Sequence, residues 1–276
     1  MNAPSSSLSA AAIAARRAAP ALDAAASTAV AIEVVAETGS TNADLLARGA
    51  AGTLQAPLLL LALHQSAGRG RAGRSWLSQA DSSLTFSLAW RFDGPAQRLS
   101  GLPLAVGVAV AEALARQGVQ VQLKWPNDIL KDGAKLAGIL IETQNEVHNR
   151  TAATLAVIGI GLNLVMPDEL EQRIGRDVAA APWLARMDRN ALMAALLDAL
   201  AGALLEFERH GFAAFSARWN RLHAWGGQPV TIVDNGVVLQ QGLAAGVDDG
   251  GRLLLDTDQG RVTVAAGDVS LRLAAR

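Results

Sequence analysis

Around Trp225–Gly227 the patterning of the chain changes, and no other feature limits its fold as strongly. Upstream, segments with helical apolar spacing alternate with short apolar runs bounded by turn residues. Downstream, from Gln228, short strand-like segments are separated by turns at Asn235-Gly236, Asp249-Gly250 and Gln259-Gly260. Five strands in under 50 residues imply a small all-β barrel or meander. The upstream alternation implies a mixed α/β unit. The expected organisation is an α/β domain over 31–225 and a β domain over 226–276, which suits a chain of 276 residues. No internal repeat is visible.

Within the larger unit, Ala31–Ala36 reads as a strand, and Ser40-Thr41-Asn42 can cap a short helix running to Arg48. Pro57–His64 has the uninterrupted apolar character of a strand buried on both faces, although periodicity alone does not exclude a helix. Leu84–Trp90 and Val119–Lys124 alternate in strand fashion. Pro103–Gln117 has helical spacing, with Pro in the first turn and Gly118 as a stop. Ile129-Leu130 and Lys135–Thr143 flank a hairpin signal, and Thr154–Leu162 makes another buried strand. Asn190–His210 and Phe212–Leu222 read as helices.

The first 30 residues, mostly Ala and Ser, are expected to form a disordered or weakly helical tail. Arg16 and Arg17 interrupt its apolar stretch, which argues against a secretory signal, and a transit peptide is the alternative. No uninterrupted apolar run approaches the ~18–20 residues of a membrane span, so a soluble, cytoplasmic chain without membrane partners is expected.

Lys+Arg 24 against Asp+Glu 25 gives a formal net charge of −1. A protein held mainly on nucleic acid or an anionic membrane needs a basic excess, so neither partner is expected. With 51% hydrophobic and 18% charged residues, the chain can build a core and is not wholly disordered. Cysteine is absent, which excludes disulfides, thiolate catalysis, Cys-based zinc sites and iron–sulfur clusters.

Three stretches carry chemistry. In Gly68-Arg69-Gly70-Arg71-Ala72-Gly73-Arg74-Ser75-Trp76, glycines free the backbone to approach a ligand and arginines supply planar charged forks. That combination suits phosphate and carboxylate recognition. A flexible basic surface loop is the plainer reading, weakened by the buried strand directly before it. Gly68, Gly70 and Gly73 also match G-x-G-x-x-G with Asp93 about 20 residues on. That dinucleotide reading fails, because Arg74–Ser83 is too short and too polar to supply the required helix.

The second stretch is Lys124-Trp125-Pro126-Asn127-Asp128 followed by Lys135-Leu136-Ala137-Gly138-Ile139-Leu140. It places opposite charges at one sheet edge and opens an apolar strand with Lys135, which costs free energy unless that lysine is paired or lies in solvent. The third is Gly159-Ile160-Gly161-Leu162-Asn163, whose glycines permit close approach and whose Asn could orient a ligand, although such a stretch alone more often serves packing. His64, His148, His210 and His223 show no metal-ligand spacing and no serine nucleophile elbow, and read as structural or surface residues.

Taken in order, Ser40-Thr41-Asn42, Gln65 before GRGRAGRSW, KWPND, KLAGIL and GIGLN resemble the motifs of biotin–protein ligases, over about Glu37 to Arg272. The resemblance implies a catalytic domain like class II aminoacyl-tRNA synthetases, with a mixed sheet, and an SH3-like β-barrel C-terminal domain. It implies a two-step reaction: biotin and ATP give biotinyl-5′-adenylate and pyrophosphate, and a lysine of a biotin carboxyl carrier protein then attacks. Ser40, Thr41, Asn42 and Gln65 would bind the biotin head group. Gly68, Arg69, Gly70 and Arg71 would close over biotin and the adenylate. Lys135, beside Gly138, would contact the biotin carboxylate and the α-phosphate. Trp76 would pack near adenine, while Lys124, Asp128 and Asn163 would line the side of the phosphates and Mg²⁺, which comes with ATP rather than in a fixed protein site. Lys135, Arg71 and Asp128 are the expected catalytic set.

Activating a carboxylate brings two anions together, which fixed cations and Mg²⁺ can stabilise without a protein nucleophile. Family members that double as repressors carry a winged helix before the catalytic domain. Fewer than 40 residues precede Ser40 here, without a helix-turn-helix pattern, so a ligase alone, monomeric or homodimeric, is expected. A lipoate- or octanoyl-transferring relative, a biotin-sensing repressor and a non-catalytic biotin-binding module are the alternatives.

Overall fold

The computed structural model describes residues 8–17, 29–78, 81–148, 151–167, 171–172, 178–234, 236–267 and 269–274. A short helix α1 (Ala10–Ala14) precedes β1 (Ala31–Thr38), α2 (Thr41–Ala50), β2 (Leu58–Gln65) and β3 (Ser83–Asp93). Then come α3 (Leu102–Arg116), β4 (Gln122–Lys124), β5 (Asp128–Lys131), β6 (Ala134–His148) and β7 (Thr151–Asn163). Helices α4 (Pro182–Ala185), α5 (Arg189–His210) and α6 (Ala213–Leu222) lead to strands β8 (Pro229–Asp234), β9 (Val237–Val247), β10 (Leu253–Thr257), β11 (Gly260–Val264) and β12 (Ser270–Leu273).

The first seven strands form one mixed sheet in the order β1-β2-β3-β7-β6-β5-β4. Only β1 and β2 run parallel, joined by α2, and every other pairing is antiparallel. Both faces are covered, so the central strands read as continuous apolar runs. On one face Leu59, Leu61, Phe86, Leu88, Ile158 and Ile160 join the main core with α3, α5 and α6. On the other, Leu58, Leu60, Ala89, Leu155 and Val157 pack under Leu45 of α2.

That second face does not stay apolar. Along the β3–β7 ladder the pair Ala89–Val157 is followed by Ser87–Gly159, Thr85–Gly161 and Ser83–Asn163. Because strand side chains alternate with a period of two, these rows continue the face that α2 covers, with no apolar surface left to bury. The change coincides with the N-terminal end of α2 and opens the cleft described below.

The last five strands form an antiparallel sheet in the order β11-β10-β9-β8-β12. Val230, Ile232, Leu253 and Leu271 join the main core. Asn220 of α6 bonds Val247 through both amide atoms, and the Trp125 indole donates to the Gly251 carbonyl at 3.2 Å.

The expected tail over 1–30 is corrected in its described part. Ser9 caps α1, and its backbone N–H donates to the buried Asn190 side chain at 3.0 Å. Ile13 is fully buried, and Arg16 and Arg17 each pair at 2.6 Å, with Asp188 and Asp198 of the α5 region. An isoleucine and two arginines at helical spacing are enough to dock a segment that alanine content makes look featureless. Residues 1–7 and 18–28, the His148 side chain and Asn235 lie outside the described residues. Ala96–Arg116 and Arg189–His210 are long and apolar enough by length and composition to cross a membrane, yet each is mostly buried, as core helices are. Their spans contain α3 and α5, which pack on each other.

Candidate active site

A cleft opens over the hydroxyl and glycine rows of β3 and β7. Its neutral end is built on the first turn of α2. The Ser40 side chain caps the helix, and Ser40, Thr41 and Asn42 are all buried. The Thr41 backbone N–H donates to Gln65 Oε1 at 2.8 Å, which ties the helix end to the last residue of β2. Thr41 Oγ1 lies 2.6 Å from Ser87 Oγ, and Ser87 Oγ donates to Asn42 Oδ1 at 2.6 Å. Buried polar groups of this kind are tolerable only when paired, and here each has a partner.

The Gly/Arg loop roofs the cleft as a tight hairpin. Gly70 N–H donates to the Arg74 carbonyl at 2.6 Å and Trp76 N–H to the Gly68 carbonyl at 2.9 Å. Ala72 and Gly73, at φ +53° and +68°, make its turn. A Cβ on Gly68 would come within 2.4 Å of the Trp76 carbonyl, so only glycine permits this closure. Arg71 donates to Asn127 Oδ1 at 3.0 Å and to the Gly267 carbonyl, so the loop is held from both the KWPND turn and the last sheet. The Trp76 ring lies on Gly161, where a Cβ would meet it at 2.2 Å, and its buried Nε1 has no hydrogen-bond partner among the described residues.

The cationic end is the β5–β6 hairpin. Lys135 Nζ sits 2.5 Å from Asp128 Oδ1, while Lys124 Nζ is 3.5 Å from Asp128 Oδ2. Lys135 also lies over the Trp76 ring at 5.8 Å and against Gly138. Among the described residues, no three of His, Cys, Asp and Glu cluster as a metal cage. His223 is buried elsewhere, against Trp219 at 4.7 Å, and burial pushes its imidazole pKa down to about 4.

Ser40, Thr41, Asn42, Gln65, Arg69, Gly70, Arg71, Trp76, Lys135 and Gly138 thus share one cleft. Gly68 lies beside it, at the base of the loop. Lys124 and Asp128 line an adjoining recess that Lys135 also borders. Asn163 does not reach the cleft lining; its amide donates to the Ala179 carbonyl at 3.3 Å. Sequence reasoning gave no role to Thr85, Ser87, Asn127 and Glu142. The signal for the first two was present, since polar residues at every second position of an otherwise apolar strand must face something polar.

Residues 35–163 match the model of the biotin/lipoate A/B protein ligase family, and residues 226–272 match that of the biotin protein ligase C-terminal domain. The biotin--[acetyl-CoA-carboxylase] ligase of Mycobacterium tuberculosis is 38% identical over 247 residues, covering 86% of this chain and 88% of that protein. The chain belongs to the biotin protein ligase family.

Within that family, the bifunctional ligase/repressor BirA of Escherichia coli (strain K12) is 36% identical over 243 residues, 85% of this chain and 72% of that protein. The biotin protein ligase of Aquifex aeolicus, solved in complex with biotin and ATP, superposes with a TM-score of 0.71 at 25% identity. That alignment covers 88% of this chain and 99% of the other, so biotin protein ligases share the mixed sheet and the C-terminal β sheet.

Proposed function

We propose that the protein activates biotin with ATP as biotinyl-5′-adenylate, releasing pyrophosphate, and transfers the biotinyl group to a lysine of a biotin carboxyl carrier protein such as that of acetyl-CoA carboxylase. The observation that carries this reading is the division of one cleft into a neutral, hydrogen-bonding end (Ser40, Thr41, Asn42, Gln65) and a cationic end (Arg69, Arg71, Lys135). Biotin has the matching division, a cyclic urea at one end and a carboxylate at the other.

In this reading the carboxylate approaches Lys135, whose charge offsets that building up as carboxylate and α-phosphate meet. Fixed cations in a shielded site need no reorganisation at the moment of reaction. Arg69 and Arg71 complete the clamp, and the closed loop keeps the mixed anhydride from water. Trp76 flanks the adenine, and Lys124 serves the departing pyrophosphate. Mg²⁺ would come with ATP rather than from a fixed protein site. In the second step the acceptor lysine must be neutral, and Asp128 orients it or takes its proton. We assign this chemistry to a domain over 31–225, with 226–276 as a separate SH3-like domain, and expect the reaction in the cytoplasm without nucleic-acid partners.

The test is the intact mass of a biotin carboxyl carrier domain after incubation with the protein, biotin, ATP and Mg²⁺. One biotinyl mass gain that needs every component is expected. A gain with lipoate or octanoate in place of biotin would reassign the substrate, and no gain with any acid would refute the ligase reading.

A further inference from the structure

Glu142 lies outside the cleft on β6, yet it joins the cleft's hydrogen-bond network at one end. Asn42 Nδ2 donates to Glu142 Oε2 at 2.8 Å and to the Leu140 carbonyl at 3.3 Å. An amide nitrogen has two protons, and both are thereby committed to acceptors on β6. The amide oxygen must then point the other way. It accepts from Ser87 at 2.6 Å and lies over Gly159 on the cleft lining, where a Cβ would be only 2.4 Å from it.

That choice fixes the role of Ser87 in the next bond. The single Ser87 proton goes to Asn42, so Ser87 can only accept from Thr41, whose one hydroxyl proton lies between Ser87 Oγ at 2.6 Å and Gln65 Oε1 at 3.0 Å. Gln65 Oε1 already accepts from the Thr41 backbone N–H, which leaves the Gln65 Nε2 side, close to Gly68, as the donor. With the Asn42 amide turned over, its NH₂ would face Ser87 and the bare oxygen would face a carboxylate at hydrogen-bonding distance. Like poles facing across such a gap are costly in a shielded site.

We propose that Glu142 is a positioning residue that sets the donor–acceptor polarity of the neutral end, keeping an amide oxygen over the cleft floor as an acceptor for a ligand N–H. The inference rests on the proposed biotin reaction and gives it a specificity device. A cyclic urea presents N–H groups to that oxygen, whereas lipoate, the other acid in the family's description, has a disulfide ring there and nothing to donate. Sites built around a hydrogen bond discriminate strongly against analogues that lack it, because their own polar group is left unpaired.

The test uses the full chain and biotin-dependent ATP–pyrophosphate exchange, with lipoate as the comparison acid. Glu142→Leu removes the acceptor and is expected to raise the KM for biotin at least about ten-fold while kcat stays within about three-fold, as for a lost binding interaction. The preference for biotin over lipoate should fall by the same factor. Glu142→Gln retains a carbonyl oxygen for Asn42 and should restore the KM to within about three-fold of wild type. Thermal melts of both variants separate this from simple loss of fold. An unchanged biotin KM in a folded Glu142→Leu protein would overturn the proposal, as would equal losses for both acids. Wild-type exchange supported by lipoate and not by biotin would instead overturn the functional reading beneath it.

Discussion

Lys135 and Asp128 face each other at 2.5 Å across the β5–β6 hairpin, with side chains only 19% and 16% exposed. Asp128 also faces Lys124 at 3.5 Å. Both lysines thus lie against the same carboxylate at the edge of the cleft. The carboxylate lowers the cost of holding Lys135 in a shielded place.

Replacing Lys135 by Ala should therefore cut adenylate formation by roughly 10²–10³-fold, the usual cost of losing one preorganised stabilising group. Asp128 keeps Lys124 as partner, so the variant should fold, which a thermal melt will check. Pyrophosphate exchange near the wild-type rate would remove Lys135 from its assigned role.

Arg71 spans from the loop to Asn127 and Gly267. Arg71→Gly should loosen the roof and release adenylate into solution, where it labels lysines of bystander proteins. Asn127→Ala removes one anchor and should leak less. Streptavidin blots of a mixture with serum albumin would show the order, and equal background in all three proteins would mean that retention depends on something else.

Much of this arrangement was legible in the sequence, because the GRGRAGRSW loop and the KWPND and KLAGIL segments bring glycines and fixed charges into short, unusual patterns. The strands and long helices were legible because apolar periodicity reports burial directly. Their ends shifted by a few residues, as for β6, which runs on to His148 beyond the expected Thr143. The contribution of β3 was harder to read. Thr85 and Ser87 look like the solvent side of an amphipathic strand, and only the pairing of β3 with the glycines of β7 shows that they face a cleft. Glu142 was silent for a related reason, since its partner Asn42 lies 100 residues away.

The docked N-terminal helix makes a prediction about stability. Ile13 is fully buried, so Ile13→Ala should cost about 2–5 kcal/mol in urea unfolding, within the range of large-to-small core changes. An unchanged midpoint would mean that α1 is not held against the rest of the protein in solution.

His223 predicts a pH dependence. Its folded pKa is about 4, depressed by burial, whereas an unfolded histidine titrates near 6.5. Above pH 6.5 both states are neutral and His223 contributes no slope. As pH falls from 6.5 toward 4 the unfolded state takes up the proton and the folded state does not, so stability declines by up to about 3 kcal/mol. His223→Leu should flatten that part of the curve in unfolding experiments at pH 7, 5.5 and 4.5. Parallel wild-type and variant curves would contradict the assignment.

The rows where β3 and β7 exchange apolar side chains for hydroxyls and glycine have a consequence for engineering. They are places where the hydrophobic layer was left incomplete so that a small molecule could finish it. A larger aliphatic side chain at Thr85 would close that layer from within, and a selection for heat resistance alone would tend to find it. That gain would occupy volume that the substrate needs, so thermostability and turnover should diverge first along this one pair of strands.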